Sequence, residues 1–318
     1  MSYAAYRRDL AAARARLAGA SALVATACGP IEYAEVGEGT PILVVHGAGG
    51  GFDQGLAIGG PLAARGHRVV AMSRFGYLRT PLPADASAAA QADAHACLLD
   101  ALGLERAPVL GVSAGAPSAL QLAVRHPQRV SALVLMVPAA FVPRPNGAAP
   151  VRTPPGTLQL FDTALRSNFL FWAIRHAAPS LMIRGLLGTP PGLLAHATRA
   201  DRERLDAMLD QILPVTDRRV GLLNDAAVTT QIARYPLERI TAPTLTIAAA
   251  DDLYGTYDAA RYTAQEIKNA RFVGYADGGH MLVGHDADVT SAIAEFLETS
   301  GDTSGAAGTG DSRPRPNH

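Results

Sequence analysis

A serine, a pair of aspartates and a histidine, in that order along the chain, carry the chemistry this sequence can offer. Ser113 sits in Gly111-Val112-Ser113-Ala114-Gly115, Asp251-Asp252 follow the apolar run Thr244-Leu245-Thr246-Ile247-Ala248, and His280 closes Asp277-Gly278-Gly279-His280. An alcohol attacks a carbonyl when a base takes its proton, and an imidazole base needs a carboxylate to fix its tautomer. The set is one for acyl transfer. A G-x-S-x-G pentapeptide alone is common by chance, so its weight depends on the elements around it.

Those elements are legible from periodicity. Pro108–Val112 is a short apolar run, and Ala116–Ala123 has helical spacing, so Ser113 is expected on a sharp strand-to-helix turn. A Cβ at either flanking glycine would collide with a neighbouring strand or helix. The Ala114 amide then lies at a helix N-terminus, where free N–H groups favour an oxyanion. Further apolar runs at 41–45, 68–72, 130–137, 243–248 and 271–275 alternate with helical segments at 53–66, 86–102, 259–267 and 287–297. This alternation predicts an α/β fold with a parallel sheet covered on both faces. Before it come an arginine-studded helix over 3–17 and a hairpin over 21–36 that turns at Gly29-Pro30. After residue 138 the pattern breaks. A proline- and glycine-rich linker is expected over 141–157, and 158–235 are expected to be helical, so that 139–235 form an inserted cap on a core of 21–138 and 236–299. Residues 300–318 lack large apolar side chains and are expected to be a disordered tail.

With His46-Gly47-Ala48-Gly49 after the first apolar run, the four motifs in this order resemble the α/β-hydrolase superfamily, over roughly residues 22–299. The resemblance implies that fold, with a mostly parallel sheet and an inserted helical cap, and a serine nucleophile, Ser113, with His280 as its base. It implies Asp252 rather than Asp251 as the orienting acid, because the second of a paired Asp-Asp takes that role in related hydrolases. It also implies an oxyanion hole from the backbone amides of Ala48 and Ala114, with Gly49 as a substitute. His46 is then a structural residue. Phe169 and Trp172 of the cap, with Gly49, are expected to line the substrate pocket.

Composition narrows the alternatives. Lys+Arg 28 balance Asp+Glu 28, which gives no electrostatic case for nucleic acid or an anionic membrane. The sequence has no uninterrupted apolar run of about 18 residues to span a bilayer. Arg14 and Arg16 interrupt the N-terminal stretch as a signal peptide, so a cytoplasmic location is expected. Cys28 and Cys97 could pair, but two cysteines are no disulfide framework, and buried free thiols are expected. His280 and His285 have no third ligand at sensible spacing, so no metal is expected, and no cofactor. His285 is read as a surface or cap-facing residue. Gly47–Gly51 lacks the residues of a phosphate cradle.

A serine nucleophile sets this chain apart from the haloalkane dehalogenases and epoxide hydrolases of the fold, which use aspartate. The expected reaction is hydrolysis of a small or medium carboxylic ester through an acyl-enzyme. The alternative is carbon–carbon hydrolysis of a vinylogous diketone, as in meta-cleavage-product hydrolases; their carboxylate-bearing substrates would call for an arginine in the pocket, with Arg166, Arg175, Arg184 and Arg74 as candidates. A ligand-binding protein without turnover is the reading from another class. The expected partner is a small-molecule substrate.

Overall fold

In a computed structural model the described residues are 2–143, 162–230 and 232–305. Eight strands form one sheet in the order β1-β2-β4-β3-β5-β6-β7-β8, comprising β1 (Ala22–Thr26), β2 (Gly29–Val36), β3 (Thr40–Val45), β4 (His67–Met72), β5 (Ala107–Val112), β6 (Val130–Met136), β7 (Thr244–Ala249) and β8 (Ala270–Tyr275). β1 and β2 pair antiparallel, as do β2 and β4; from β4 to β8 every pairing is parallel. Ile42–Val45 and all of β7 are buried, as strands covered on both faces must be. β5, which carries the serine turn, lies near the middle of the sheet. Its C-terminal edge is also the edge from which the loops after β3, β7 and β8 emerge.

Two apolar layers close over the sheet. Helices α3 (Ala88–Ala101) and α4 (Ala116–Arg125) cover one face through Leu98, Leu99, Leu120 and Leu122. Helix α2 (Phe52–Ala63) and the last helix cover the other, through Leu62, Val289, Ile293 and Leu297. Helix α9 (Thr256–Glu266) connects β7 to β8. A third apolar cluster lies outside the sheet. It joins the N-terminal helix α1 (Tyr3–Leu17) to the helices inserted between β6 and β7, namely α5 (Asn168–Ala177), α6 (Pro179–Leu186), α7 (Arg199–Gln211) and α8 (Arg219–Thr230). Of the linker expected over 141–157, residues 144–157 lie outside the described residues. The last helix, α10, spans Asp286–Gly305, beyond the end expected at Leu297 and into the stretch expected to be disordered; 306–318 lie outside the described residues. No proline interrupts that extension, so the turns already formed propagate at one hydrogen bond per residue.

The cysteines depart from expectation. Cys28, exposed in the β1–β2 turn, is bonded to Cys97 of α3, with Cα atoms 6.0 Å apart. The hairpin is the sheet's outer edge, and its packing on α3 brings together thiols 69 residues apart in sequence, a proximity that no local pattern encodes. The bond fastens the edge hairpin to α3. Closing a loop of this length removes about 4 kcal/mol of chain entropy from the unfolded state. Paired Cys28→Ser and Cys97→Ser changes should therefore lower unfolding free energy by about 2–4 kcal/mol in urea titrations. Turnover should stay intact, because the bond is remote from the serine turn. Equal midpoints with and without the bond would show that the packing of β1 on α3 suffices.

Candidate active site

The turn after β5 holds Ser113 at φ 49°, a left-handed conformation that serine rarely adopts, held here by tight packing on both sides. A Cβ at Gly111 would sit 2.6 Å from the Cβ of Ala119 in α4, and one at Gly115 would sit 2.5 Å from the carbonyl oxygens of Val45 and His46. Ser118 donates to the Gly115 carbonyl at 3.0 Å, and His95 packs beneath it with Nε2 3.0 Å from the same hydroxyl and Nδ1 against Met72 Sδ. The turn is thus braced from below by a neutral, fully buried histidine.

Three loops meet above it. His280 Nε2 lies 2.8 Å from Ser113 Oγ, and its Nδ1 lies 2.8 Å from Asp252 Oδ2. Asp252 also accepts from the Tyr254 amide at 2.8 Å and from the Thr256 hydroxyl. Burial alone would push its carboxyl up, but the hydrogen bonds from His280, Thr256 and Tyr254 hold it below the ordinary aspartate value, so it stays ionised. Asp251 instead accepts from the Gly279 amide at 2.7 Å, which secures the loop that carries His280. The edge of the Tyr254 ring packs on the imidazole at 4.9 Å. Its phenol donates to the Gly185 carbonyl at 2.9 Å. In this arrangement His280 can take a proton from Ser113 while Nδ1–H remains on Asp252.

The loop after β3 passes beside the serine. Ala114 is the second residue of a helical turn, where N–H groups have no intrahelical acceptor, and Ala48 lines the same cavity. Gly49 is different. Its amide donates to Tyr77 Oη at 3.1 Å and it does not line the cavity, so it is neither pocket wall nor substitute oxyanion donor.

This loop is held by His46, expected as a structural residue, and by Arg74, Tyr77, Asp225, Arg218, Asp53 and Gln54, whose roles here were not expected. His46 Nε2 accepts from the Arg74 amide at 3.0 Å, and its Nδ1 donates to the Gly47 carbonyl at 2.7 Å. Burial and the neighbouring Arg74 charge push its pKa well below the ordinary value, so His46 is a neutral structural residue. Arg74 donates to the carbonyls of His46 and Gly47 and forms a two-pronged pair with Asp225 of α8 at 2.6 and 2.7 Å. Tyr77 Oη donates to the same carboxylate. Arg74 is therefore neither a substrate-facing cation nor a surface ion pair: it and Asp225 are both buried, at 5% and 4% exposure. A second buried pair, Arg218 with Asp53, anchors the Gly50 carbonyl. Gln54 accepts from the Gly47 amide at 2.9 Å. The sequence signals were weak: an aspartate within an apolar stretch of α8, and an arginine directly after a core strand.

The cavity around Ser113 encloses about 730 Å³ between the sheet edge and the inserted helices. Leu186 and Leu187, Met208, Leu222 and Met281 give it apolar walls. Phe169 and Trp172 do not line it. Phe169 is 46% exposed and packs on Tyr3 and Tyr6 of α1, while Trp172 stacks on Phe169 and donates to Asp9. Their partners come from the N-terminal helix, whose tyrosines present apolar faces on the far side of the insertion. Arg166 pairs with Asp162, Arg175 with Asp206 and Asp210, and neither they nor Arg184 line the cavity. Arg204 does, but its guanidinium donates to the Met281 carbonyl and pairs with Asp201 and Asp286. His285 stacks on Tyr275 and contacts Asp277 near the surface.

Burial of the two neutral histidines sets an acid limit on stability. His95 is pushed down to about 3 by burial and by the Arg74 charge, against 6.5 for a free imidazole. Below pH 6.5 the unfolded chain takes up a proton that the folded chain refuses until about pH 3. The stability is complete above pH 6.5 and lost progressively on acidification, by about 2 kcal/mol at pH 5 from this group. His46 acts in the same direction. Urea midpoints at pH 7.5, 6 and 5 should fall in order; a flat profile over that range would reject the assignment.

The family comparisons agree with this architecture. Residues 40–286 match the family model for the alpha/beta hydrolase fold. The chain is 26% identical over 285 residues to the uncharacterized hydrolase YcgS of Bacillus subtilis, covering 85% of this chain and 96% of that one. It is 40% identical over 103 residues to a 2-hydroxymuconate semialdehyde hydrolase of Pseudomonas putida, covering 31% of this chain and 37% of the relative. Among solved structures, an alpha/beta hydrolase fold protein from Nakamurella multipartita superposes with a TM-score of 0.70 at 30% identity, over 88% of this chain and 99% of that one. With residues 40–286 matched by the family model and 88% of its length superposed on that hydrolase at 30% identity, the chain belongs to the α/β-hydrolase family.

Proposed function

We propose that this hydrolase cleaves a small or medium, uncharged carboxylic ester through an acyl-enzyme on Ser113. The observation that carries the reading is the series Ser113–His280–Asp252, hydrogen-bonded throughout and opening onto an apolar cavity. Ser113 Oγ attacks the ester carbonyl as its proton passes to His280 Nε2, and the new oxyanion turns toward the amides of Ala48 and Ala114. The imidazolium, held on Asp252, then protonates the departing alkoxide. A water that loses its proton to the same nitrogen attacks the acyl group, and collapse returns the proton to Ser113. The inserted helices act as a cap that roofs the pocket.

The relative named as a 2-hydroxymuconate semialdehyde hydrolase favours a second reading, carbon–carbon cleavage in a carboxylate-bearing substrate. That chemistry needs a cation free to meet the carboxylate, and Arg204, the arginine among the described lining residues, is already occupied by two aspartates and a carbonyl. Esters fit better. A panel of p-nitrophenyl esters from acetate to laurate, set beside a 2-hydroxy-6-oxo-dienoate, decides between them. Ester turnover is expected; cleavage of the dienoate with no ester turnover would replace the ester reading. For location, the Cys28–Cys97 bond favours an oxidising compartment over the cytoplasm. Among the described residues no helix is long and apolar enough to cross a membrane.

A further inference from the structure

Beyond the space under the inserted helices, the cavity continues down between α2 and α10. Residues on α2 that line it are Gln54, Ala57, Ile58, Pro61 and Leu62, spaced as one helical face, and on α10 they are Asp286, Val289, Thr290 and Ile293, also one face. On β5 the lining pair is Val112 and Leu110, alternate residues on one side of the sheet that step down from Ser113. Three separate elements thus each turn a regular face toward the same slot. Its upper end is at the reacting atoms: Gln54 holds the Gly47 amide, and a Cβ at Gly47 would lie 3.3 Å from the Ser113 Cβ. Its deep end is closed by Leu62 and Ile293, at 2% and 4% exposure. The polar groups, Asp286 and Thr290, stand at the α10 end nearest the insertion, where Asp286 is paired with Arg204.

Space left between two helices in an apolar layer forfeits packing contacts, and such a void persists where an apolar ligand fills it. We propose that this slot is a subsite for a linear alkyl chain of the substrate, distinct from the space under the cap. The proposal rests on the ester reading for its chemistry. Eight residues separate Gln54 from Leu62, a reach of roughly 12 Å at the helical rise, which seats an extended chain of roughly eight to ten carbons. A branched or charged group has no complement there, because Ala57, Ile58, Leu110, Val289 and Ile293 offer only hydrocarbon.

Two substrate series identify which end of the ester enters: p-nitrophenyl acyl esters from acetate to laurate, and acetates of linear alcohols from ethanol to decanol. In one series kcat/KM should peak at roughly eight to ten carbons. Ala57→Trp, which narrows the slot from the more exposed side of α2, should lower the octyl-to-ethyl preference at least tenfold. Ile293→Ala, which deepens the slot, should move the optimum to longer chains. Ratios within twofold of wild type in both variants would overturn the subsite. Binding of 1-octanol, read as a rise in melting temperature, needs the slot but no turnover. A rise in wild type that Ala57→Trp abolishes, in a protein that hydrolyses no ester, would keep the slot and remove the ester reading. No rise, with unmoved ratios, would remove the slot.

Discussion

Ser113→Ala should lower kcat/KM for p-nitrophenyl acetate by roughly 10⁴- to 10⁶-fold, the range over which removal of a triad serine leaves catalysis by binding and the oxyanion hole alone. The loss should fall on kcat, with KM little changed, because the hydroxyl forms its new bond only after the substrate is seated. Folding should not suffer. Alanine at φ 49° bears the same backbone strain as serine, and the hydroxyl's partner, His280, keeps its hydrogen bond to Asp252. Single-turnover assays on urea-verified folded protein would measure the effect. Activity within tenfold of wild type would move the nucleophile elsewhere and undo the acyl-enzyme reading. An acyl adduct trapped by acid quench should appear in wild type and be absent from the variant.

The second large effect concerns stability and rate together. Asp225→Ala leaves the Arg74 guanidinium buried without its carboxylate and removes the acceptor of the Tyr77 hydroxyl. Breaking a buried pair from one side costs about 3–5 kcal/mol, far more than an exposed ion pair contributes. The same change releases Arg74 and Tyr77, which hold the Gly47 carbonyl and the Gly49 amide on either side of Ala48. At temperatures where the variant is folded, kcat should fall by roughly 10- to 100-fold with KM nearly unchanged, because the oxyanion donors proposed above would act on the transition state. Asp225→Asn, which keeps the volume and part of the hydrogen bonding, should lie between wild type and alanine. Replacing both partners, Asp225→Ala with Arg74→Met, should recover much of the stability but not the rate. Recovery of both would show that Asp225 serves the fold alone.

The two effects separate what local sequence encodes from what it does not. The expected helices and strands matched because each is set by a period that a short window contains, as in the buried run of β3 and the helix that opens at Ala116. The serine turn was legible for the same reason: Gly111 and Gly115 are needed by contacts that any strand–turn–helix packing brings. The helical insertion could be recognised, but not its inner surface. Phe169 and Trp172 were expected at the pocket because they are large and apolar, yet a helix offers several directions and the tyrosines of α1 decided which one was covered. Gly49 was expected as a pocket residue and as a substitute for the amide of Ala48, and a tyrosine 28 residues away takes its N–H instead.

By itself the sequence determined the order of elements, the loops that carry Ser113, Asp252 and His280, and a chain with no net charge to recruit a polyanion. These follow from patterns within about ten residues and from composition. Tertiary structure decided which aspartate faces the imidazole, the pairing of Cys28 with Cys97, the clamp of Asp225 on the loop after β3 and the slot between α2 and α10. Each depends on side-chain direction across elements far apart in the chain. Such contacts are chosen by the packing of the whole, where a rotation of one helix by a single residue turns its face by about 100° and changes every partner.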